Sequence, residues 1–222
     1  MIRNVLLLFI IALALSASIS FAKDVKQLSW PDLIPNQEPI KDPLDALPPD
    51  QLDDFTTLVL AKNTLESGLR VEDRSLLYED ITDLERKFAK LGVNVNKLYT
   101  DYRAFEEKLA KRGTTLVGTL DDTKVKIGGY LLPLEFSGKG ETEFLLVPYV
   151  GACIHVPPPP ANQVVYVRLK TPYQVQDLYT PVRITGQLTT KRTSKSLSLV
   201  DGSAGINVGY SLDGEAIEKY QE

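Results

Sequence analysis

The sequence predicts an α+β protein, a three-helix segment followed by a five-stranded β domain. Three observations point there. Apolar residues recur every three or four positions between residues 50 and 113. From residue 114 the period changes, and Gly, Thr, Val and Tyr rise with recurrent turn signals. Two later segments share one pattern, VKIGGYL at Val125–Leu131 and VRITGQL at Val182–Leu188.

The first residues, MIRNVLLLFIIALALSASISFAKD, place Arg3 before a short apolar run from Val5 to Leu15, then Ser20-Phe21-Ala22 as a small-x-small cleavage pattern. This is the layout of a secretory signal peptide, residues 1–22, cut after Ala22. The apolar run is short of the roughly 20 residues a membrane span needs, and no later segment is apolar enough to be one. No cysteine lies near the cut, which excludes a diacylated lipoprotein. The expected product is an exported protein of the periplasm with no transmembrane segment after signal removal. The leader carries one base and no acid, so the net charge moves from −4 to −5 on its removal. A mildly acidic chain has no general attraction to nucleic acid. One cysteine makes no internal disulfide, so the fold must stand on its apolar core.

Residues 23–49 contain WPDLIPNQEPIKDPLDALPP, with prolines at 31, 35, 39, 43, 48 and 49. Each fixes φ and removes a donor. The segment reads as an extended tether without helix or central strand, which Trp30, Leu33 and Ile34 could latch onto the domain. In residues 50–113, Leu77, Ile81, Leu84, Phe88 and Leu91 form one stripe. Val95, Leu98, Tyr102, Phe105 and Leu109 form another, and Leu52, Phe55, Leu58, Val59 and Leu65 a looser first helix. Gly68, Gly92 and Gly113 mark helix ends, and Asp73 and Asn94 are the N-caps. Short loops favour antiparallel neighbours, packed as a bundle or offered to a partner.

In residues 114–222 strands are expected near 124–135, 143–150, 163–170, 181–191 and 205–212. Gly129 and Gly186 fall where a strand must bend or approach another backbone. Five strands with a bent, glycine-marked first strand match a small closed barrel of the oligonucleotide/oligosaccharide-binding (OB) type. The stretch TTKRTSKS, with Lys191, Arg192 and Lys195, reads as the tip of the last hairpin, either solvated or facing an anionic surface.

The segment GACIHVPPPPANQ holds the only cysteine and the only histidine. On a strand, Cys153 and His155 would share one face. Thiolate and imidazole suit zinc or copper, with Glu135 and Glu143 on adjacent strands as the remaining candidate ligands. A thiol enzyme would need a lowered cysteine pKa and an oriented base, and no motif supplies the orienting group. No phosphate-cradling glycine loop, G-x-S-x-G or H-E-x-x-H is present. In the third reading Cys153 is a buried small hydrophobe, and Pro157, Pro158, Pro159 and Pro160 form a stiff polyproline rod that braces a loop or docks on a partner.

The words IGGYLLPLEF (Ile127–Phe136) and TEFLLVPYVGACIHVPPPPANQVVYV (Thr142–Val167), with WPDLIP upstream, resemble the signature of the bacterial domain-of-unknown-function family numbered 3299. The resemblance implies a small, exported, β-rich protein, in a setting beside ABC-type transporters with large periplasmic permease domains, some of them metal-related. The expected function is a non-enzymatic accessory or binding protein of such an envelope transport system, acting by docking to a protein partner such as the permease. The alternatives are metal binding or delivery through Cys153 and His155, and a thiol-dependent enzyme.

Overall fold

The computed structural model describes residues 24–68, 74–135, 140–153, 158–178, 180–199 and 202–219. Its elements run β1 (Lys26–Leu28), the short 3-10 turn Trp30–Leu33, α1 (Pro49–Glu66), α2 (Arg74–Lys90), α3 (Val95–Thr114), β2 (Thr123–Pro133), β3 (Glu141–Val147), the 3-10 turn Ala161–Gln163, β4 (Val165–Tyr173), β5 (Val182–Leu199) and β6 (Gly202–Lys219). The fold is α+β, with three helices and a six-stranded sheet.

The expectation of five strands after an N-terminal helical segment needs correcting. β1 precedes the helices and pairs parallel with β2, Lys26 opposite Val125 and Leu28 opposite Ile127. The helices are therefore inserted between two neighbouring strands. The sheet order is β1-β2-β3-β4-β6-β5, and β2 also pairs with β5. The five long strands thus form a closed circuit of pairings, with one parallel contact between β4 and β6.

Gly129 and Gly186 behave as their positions in the repeated pattern require. A Cβ on Gly129 would stand 2.6 Å from the Val147 carbonyl oxygen and 2.9 Å from the Trp30 ring. Gly186 faces Gly214 across an irregularity in the β5–β6 ladder. The two faces of β3 and β4 separate two cores. Val125, Ile127, Leu131, Phe144, Leu146, Val165, Val167, Ile184 and Leu212 pack in the first. Leu132, Leu145, Val147, Val164 and Tyr166, on the opposite faces, pack in the second with Cys153, Leu197, Ile206 and Val208.

The helices carry a third core. Phe55, Leu58, Phe88 and Val95 are buried together, and Ile81, Leu84, Leu98 and Tyr102 pack against them. Phe55 meets Phe88 and Tyr102 edge-on, at centroid distances of 6.4 and 5.6 Å. Asn94 caps α3, accepting a hydrogen bond from the Lys97 N–H at 3.0 Å. Gly68 and Gly92 end their helices in the left-handed region, at φ 71° and 75°. Gly113 does not, because α3 runs to Thr114; it is small for another reason, given below. The Asp73 cap lies outside the described residues.

The proline-rich segment is latched, and it is not wholly extended. Trp30–Leu33 forms a 3-10 turn with Pro31 near its start, where a missing N–H costs nothing. Leu33 is fully buried, and the Trp30 indole N–H donates to the Gly128 carbonyl at 2.8 Å. The Asp32 carboxylate accepts from the Ser29 hydroxyl at 2.6 Å and the Ser29 N–H at 2.7 Å. These bonds hold the Asp32 carboxyl below its usual range. A depressed folded-state pKa gives stability that is present above the unfolded value, about 3.9, and is lost as pH falls through the folded value. Asp32→Asn should therefore lower the urea midpoint at pH 7 and change it less at pH 3; equal losses at both would mean the carboxylate charge plays no part.

Candidate functional site

The loop after β3 decides what Cys153 can do. Gly151 and Cys153 both adopt left-handed backbone, at φ 80° and 66°, and the Ala152 N–H bonds back to the Tyr149 carbonyl. This is a turn, and not the strand geometry that a shared face for Cys153 and His155 would require. Left-handed backbone does not alternate faces, and the argument that residues 153 and 155 share one face loses its footing at Cys153. His155 and Pro157 lie outside the described residues. The Cys153 thiol is buried in the second core, and that burial pushes its pKa up to about 11. At neutral pH the group is a thiol, whereas a nucleophile or metal ligand requires the thiolate.

Glu135 is exposed. Glu143 accepts a hydrogen bond from the Tyr166 hydroxyl at 2.5 Å and lies opposite Arg168 in the β3–β4 register. Desolvation first, then the bond to Glu143, raises the Tyr166 phenol to about 12. Among the described residues, no three His, Cys, Asp or Glu side chains are grouped to hold a metal ion. Cys153, Glu135 and Glu143 are thus not brought together.

TTKRTSKS is not a hairpin tip. β5 continues through it to Leu199. Lys191 and Arg192 occupy an irregularity between Thr190 and Thr193, and the Lys195 ammonium stands 3.7 Å from the centre of the Tyr166 ring.

The prolines lead instead to a junction. Pro160 has φ −53° and ψ 151°, close to polyproline II geometry. Pro158 and Pro160 are exposed, whereas Pro159 is buried. Pro160 lies directly on Gly113 of α3, where a Cβ would stand 2.8 Å from the proline Cβ. The turn that follows ties three parts of the chain together. Asn162, 1% exposed and the one buried polar residue among those described, donates from Nδ2 to the carbonyls of Arg112 and Thr115, at 2.9 and 3.0 Å. They lie at the end of α3, where carbonyls run short of helical donors; the Arg112 carbonyl also accepts from the Thr115 N–H at 3.2 Å. Gln163 donates to the Trp30 carbonyl at 3.0 Å. The Tyr210 hydroxyl donates to the Leu33 carbonyl at 2.8 Å and accepts from the Val117 N–H at 2.7 Å. Between rod and helix runs an open groove of about 530 Å³, walled by Leu109 and Gly113 of α3, Pro158 and Pro160, and Gly205 and Asn207 of β6. Sequence reasoning found the rod and the Trp30 latch but missed Asn162, Gln163 and Tyr210. An Asn-Gln pair one residue after four prolines was the available signal, because amides beside a donor-poor segment can supply the hydrogen bonds that prolines lack.

These features define a class: an α+β protein whose helical insertion, N-terminal strap and proline rod are fastened to one six-stranded sheet. The chain belongs to the DUF3299 family, a family of proteins of unknown function, whose sequence model matches residues 30–219. The match begins at Trp30 and spans the proline segment and the turn after it. A DUF3299 family protein from Pseudomonas aeruginosa PAO1, known from a crystal structure, is 26% identical; the match covers 90% of this chain and 98% of that one at a TM-score of 0.49. No curated protein matches the chain. Among the described residues, no helix is long and apolar enough to cross a membrane.

Proposed function

We propose that the chain is an exported, non-enzymatic docking protein of the bacterial envelope, built on a five-stranded OB-type barrel, that presents its proline rod to a protein partner. The closed order of strand pairings with a single parallel contact supports the barrel reading. The leader-like first 22 residues support export. The setting implied by the family resemblance makes an ABC-type permease the first partner to seek.

One observation carries the docking reading. The rod is held rigidly from behind, by Gly113 and by the two Asn162 hydrogen bonds, while Pro158 and Pro160 remain exposed. A preformed rod loses little conformational freedom on binding. The buried, protonated Cys153 weighs against the metal and thiol-enzyme alternatives.

The test uses the full-length chain with a C-terminal tag, expressed in its native type of host and crosslinked in cells. The expected result is a processed form starting at Lys23 in the periplasmic fraction, crosslinked to one envelope protein. That adduct should fall at least about tenfold in Pro158→Ala/Pro160→Ala, with the melting temperature retained. An unchanged adduct would remove the rod from the contact, and a chain retained in the cytoplasm would end the exported reading.

A further inference from the structure

The outward face of β3 and β4 is unusually apolar. In a sheet with one face on the core, the other face is ordinarily polar and wet. Here Leu145 and Val147 of β3, Val164 just before β4, and Tyr166 within it all point away from the first core and are buried nonetheless. Beside Ala152 and Cys153 of the loop after β3, the far end of the β5–β6 hairpin covers them, with Leu197, Ile206 and Val208 in the same cluster.

That far end differs from the rest of the hairpin. β5 pairs with β2 only as far as Leu188, and β6 pairs with β4 only between Tyr210 and Gly214. Residues 193–199 and 202–208 pair with each other alone. The change occurs at the irregularity holding Lys191 and Arg192, opposite Gly209. A bulge is where a ribbon bends most readily. Beyond it the strands read TSKSLSL and GSAGINV, mostly small and polar. Among the described residues, outside the strand ladders, one backbone hydrogen bond ties this ribbon to the body, from the Ser198 N–H to the Leu134 carbonyl at 3.0 Å. Its other attachment is Lys195, set over the Tyr166 ring.

We propose that the paired segments 193–199 and 202–208 are a lid, hinged at Lys191–Arg192, that occupies in cis a peptide-binding face on β3 and β4. The lid defines what the face accepts. Leu197 on one strand and Ile206 and Val208 on the other enter the apolar cluster, and a cation stacks on Tyr166. The ligand class is an extended peptide with alternating apolar side chains and a lysine or arginine placed over that ring. Elements that move to admit a ligand belong to the low-stability end of a structure. A ribbon with three buried apolar side chains and no other strand partner fits that end. The inference does not depend on the proline rod.

Hydrogen exchange on the wild-type chain, read by mass spectrometry, is the first test. Amides of 193–199 and 202–208 should exchange at least about tenfold faster than those of 182–188 and 210–218. Exchange in step with those segments would overturn the lid, and this readout needs no variant. The second test adds a fluorescein-labelled peptide with the sequence of residues 193–208. It should bind Leu197→Ser/Ile206→Ser at least about tenfold more tightly than wild type, where the lid competes. Binding to the double variant should be lost on Tyr166→Ala. Equal affinity for both chains, or no binding to the opened variant with its far-ultraviolet circular dichroism intact, would overturn the assignment of the face.

Discussion

Gly186→Ala is expected to lower the melting temperature by about 10 °C, or to prevent folding altogether. The residue stands at the closure of the sheet, opposite Val125 of β2 on one edge and Gly214 of β6 on the other. An added Cβ would overlap the Asp213 carbonyl oxygen and lie 2.9 Å from both the Asp213 carbonyl carbon and the Gly214 Cα. All of these are backbone atoms, and no rotamer change relieves the contact. Overpacking typically costs about 1–3 kcal/mol. A rigid backbone obstacle belongs at or above the top of that range. For a chain of this size each kcal/mol moves the melting temperature by about 2–4 °C. Gly118→Ala is the control, because its Cβ would meet nothing within 4 Å; it should melt within about 2 °C of wild type. Circular dichroism melts of the two variants are sufficient. A Gly186→Ala melt that coincides with wild type would mean that the Gly186–Gly214 register is not the one populated.

That glycine was visible in the sequence, and the reason is local. The repeated Val-x-Ile-x-Gly pattern places it on an inward strand position that lacks a side chain, which signals a close approach wherever the partner comes from. The helices were visible for the same kind of reason, since the middle of each stripe packs into the third core, although Leu52, Leu91 and Leu109 at the stripe ends are exposed. β1 was not. Lys26-Gln27-Leu28 is too short to show a period, and its partner Val125–Ile127 lies about a hundred positions away. The polar run at Thr189–Ser196 was misread because composition alone cannot separate a turn from a ribbon that leaves the sheet. Among the described residues of the ribbon, only Leu197, Ile206 and Val208 are buried in the second core, so the hydrophobic signal of a strand is diluted. At the site, the extended backbone of Pro160 was legible from φ restriction. The geometry of Cys153 was not, since a left-handed cysteine next to Gly151 is a tertiary outcome that no residue pattern announces. The junction stayed hidden because each of its bonds joins residues remote in sequence.

Asn162→Ala tests that junction, and it should destabilise the chain by about 3 kcal/mol. The side chain is 1% exposed and gives both amide hydrogens to carbonyls at the end of α3. Alanine would remove both bonds; the Arg112 carbonyl would keep the Thr115 N–H, the Thr115 carbonyl would lose this donor, and a lost hydrogen bond of about 1 kcal/mol plus an unsatisfied group of about 1–3 kcal/mol sets the size of the effect. Asn162→Asp is the sharper variant. Its shape is nearly unchanged, but an ionised carboxylate offers no donor and would set negative charge against two carbonyl oxygens. It should therefore fall below Asn162→Ala in urea midpoint at pH 7 and recover toward it near pH 4, as the carboxyl gains a proton it can donate. A cavity effect alone would give the reverse order, with aspartate the milder change at every pH. Hydrogen exchange places the damage. If Asn162 is what fastens the helical insertion to the sheet, the α3 amides from Leu109 to Thr114 should lose protection in both variants before those of β5 and β6. Protection lost evenly across the chain would mean that the bonds support the whole fold and do not hold the rod against the helix.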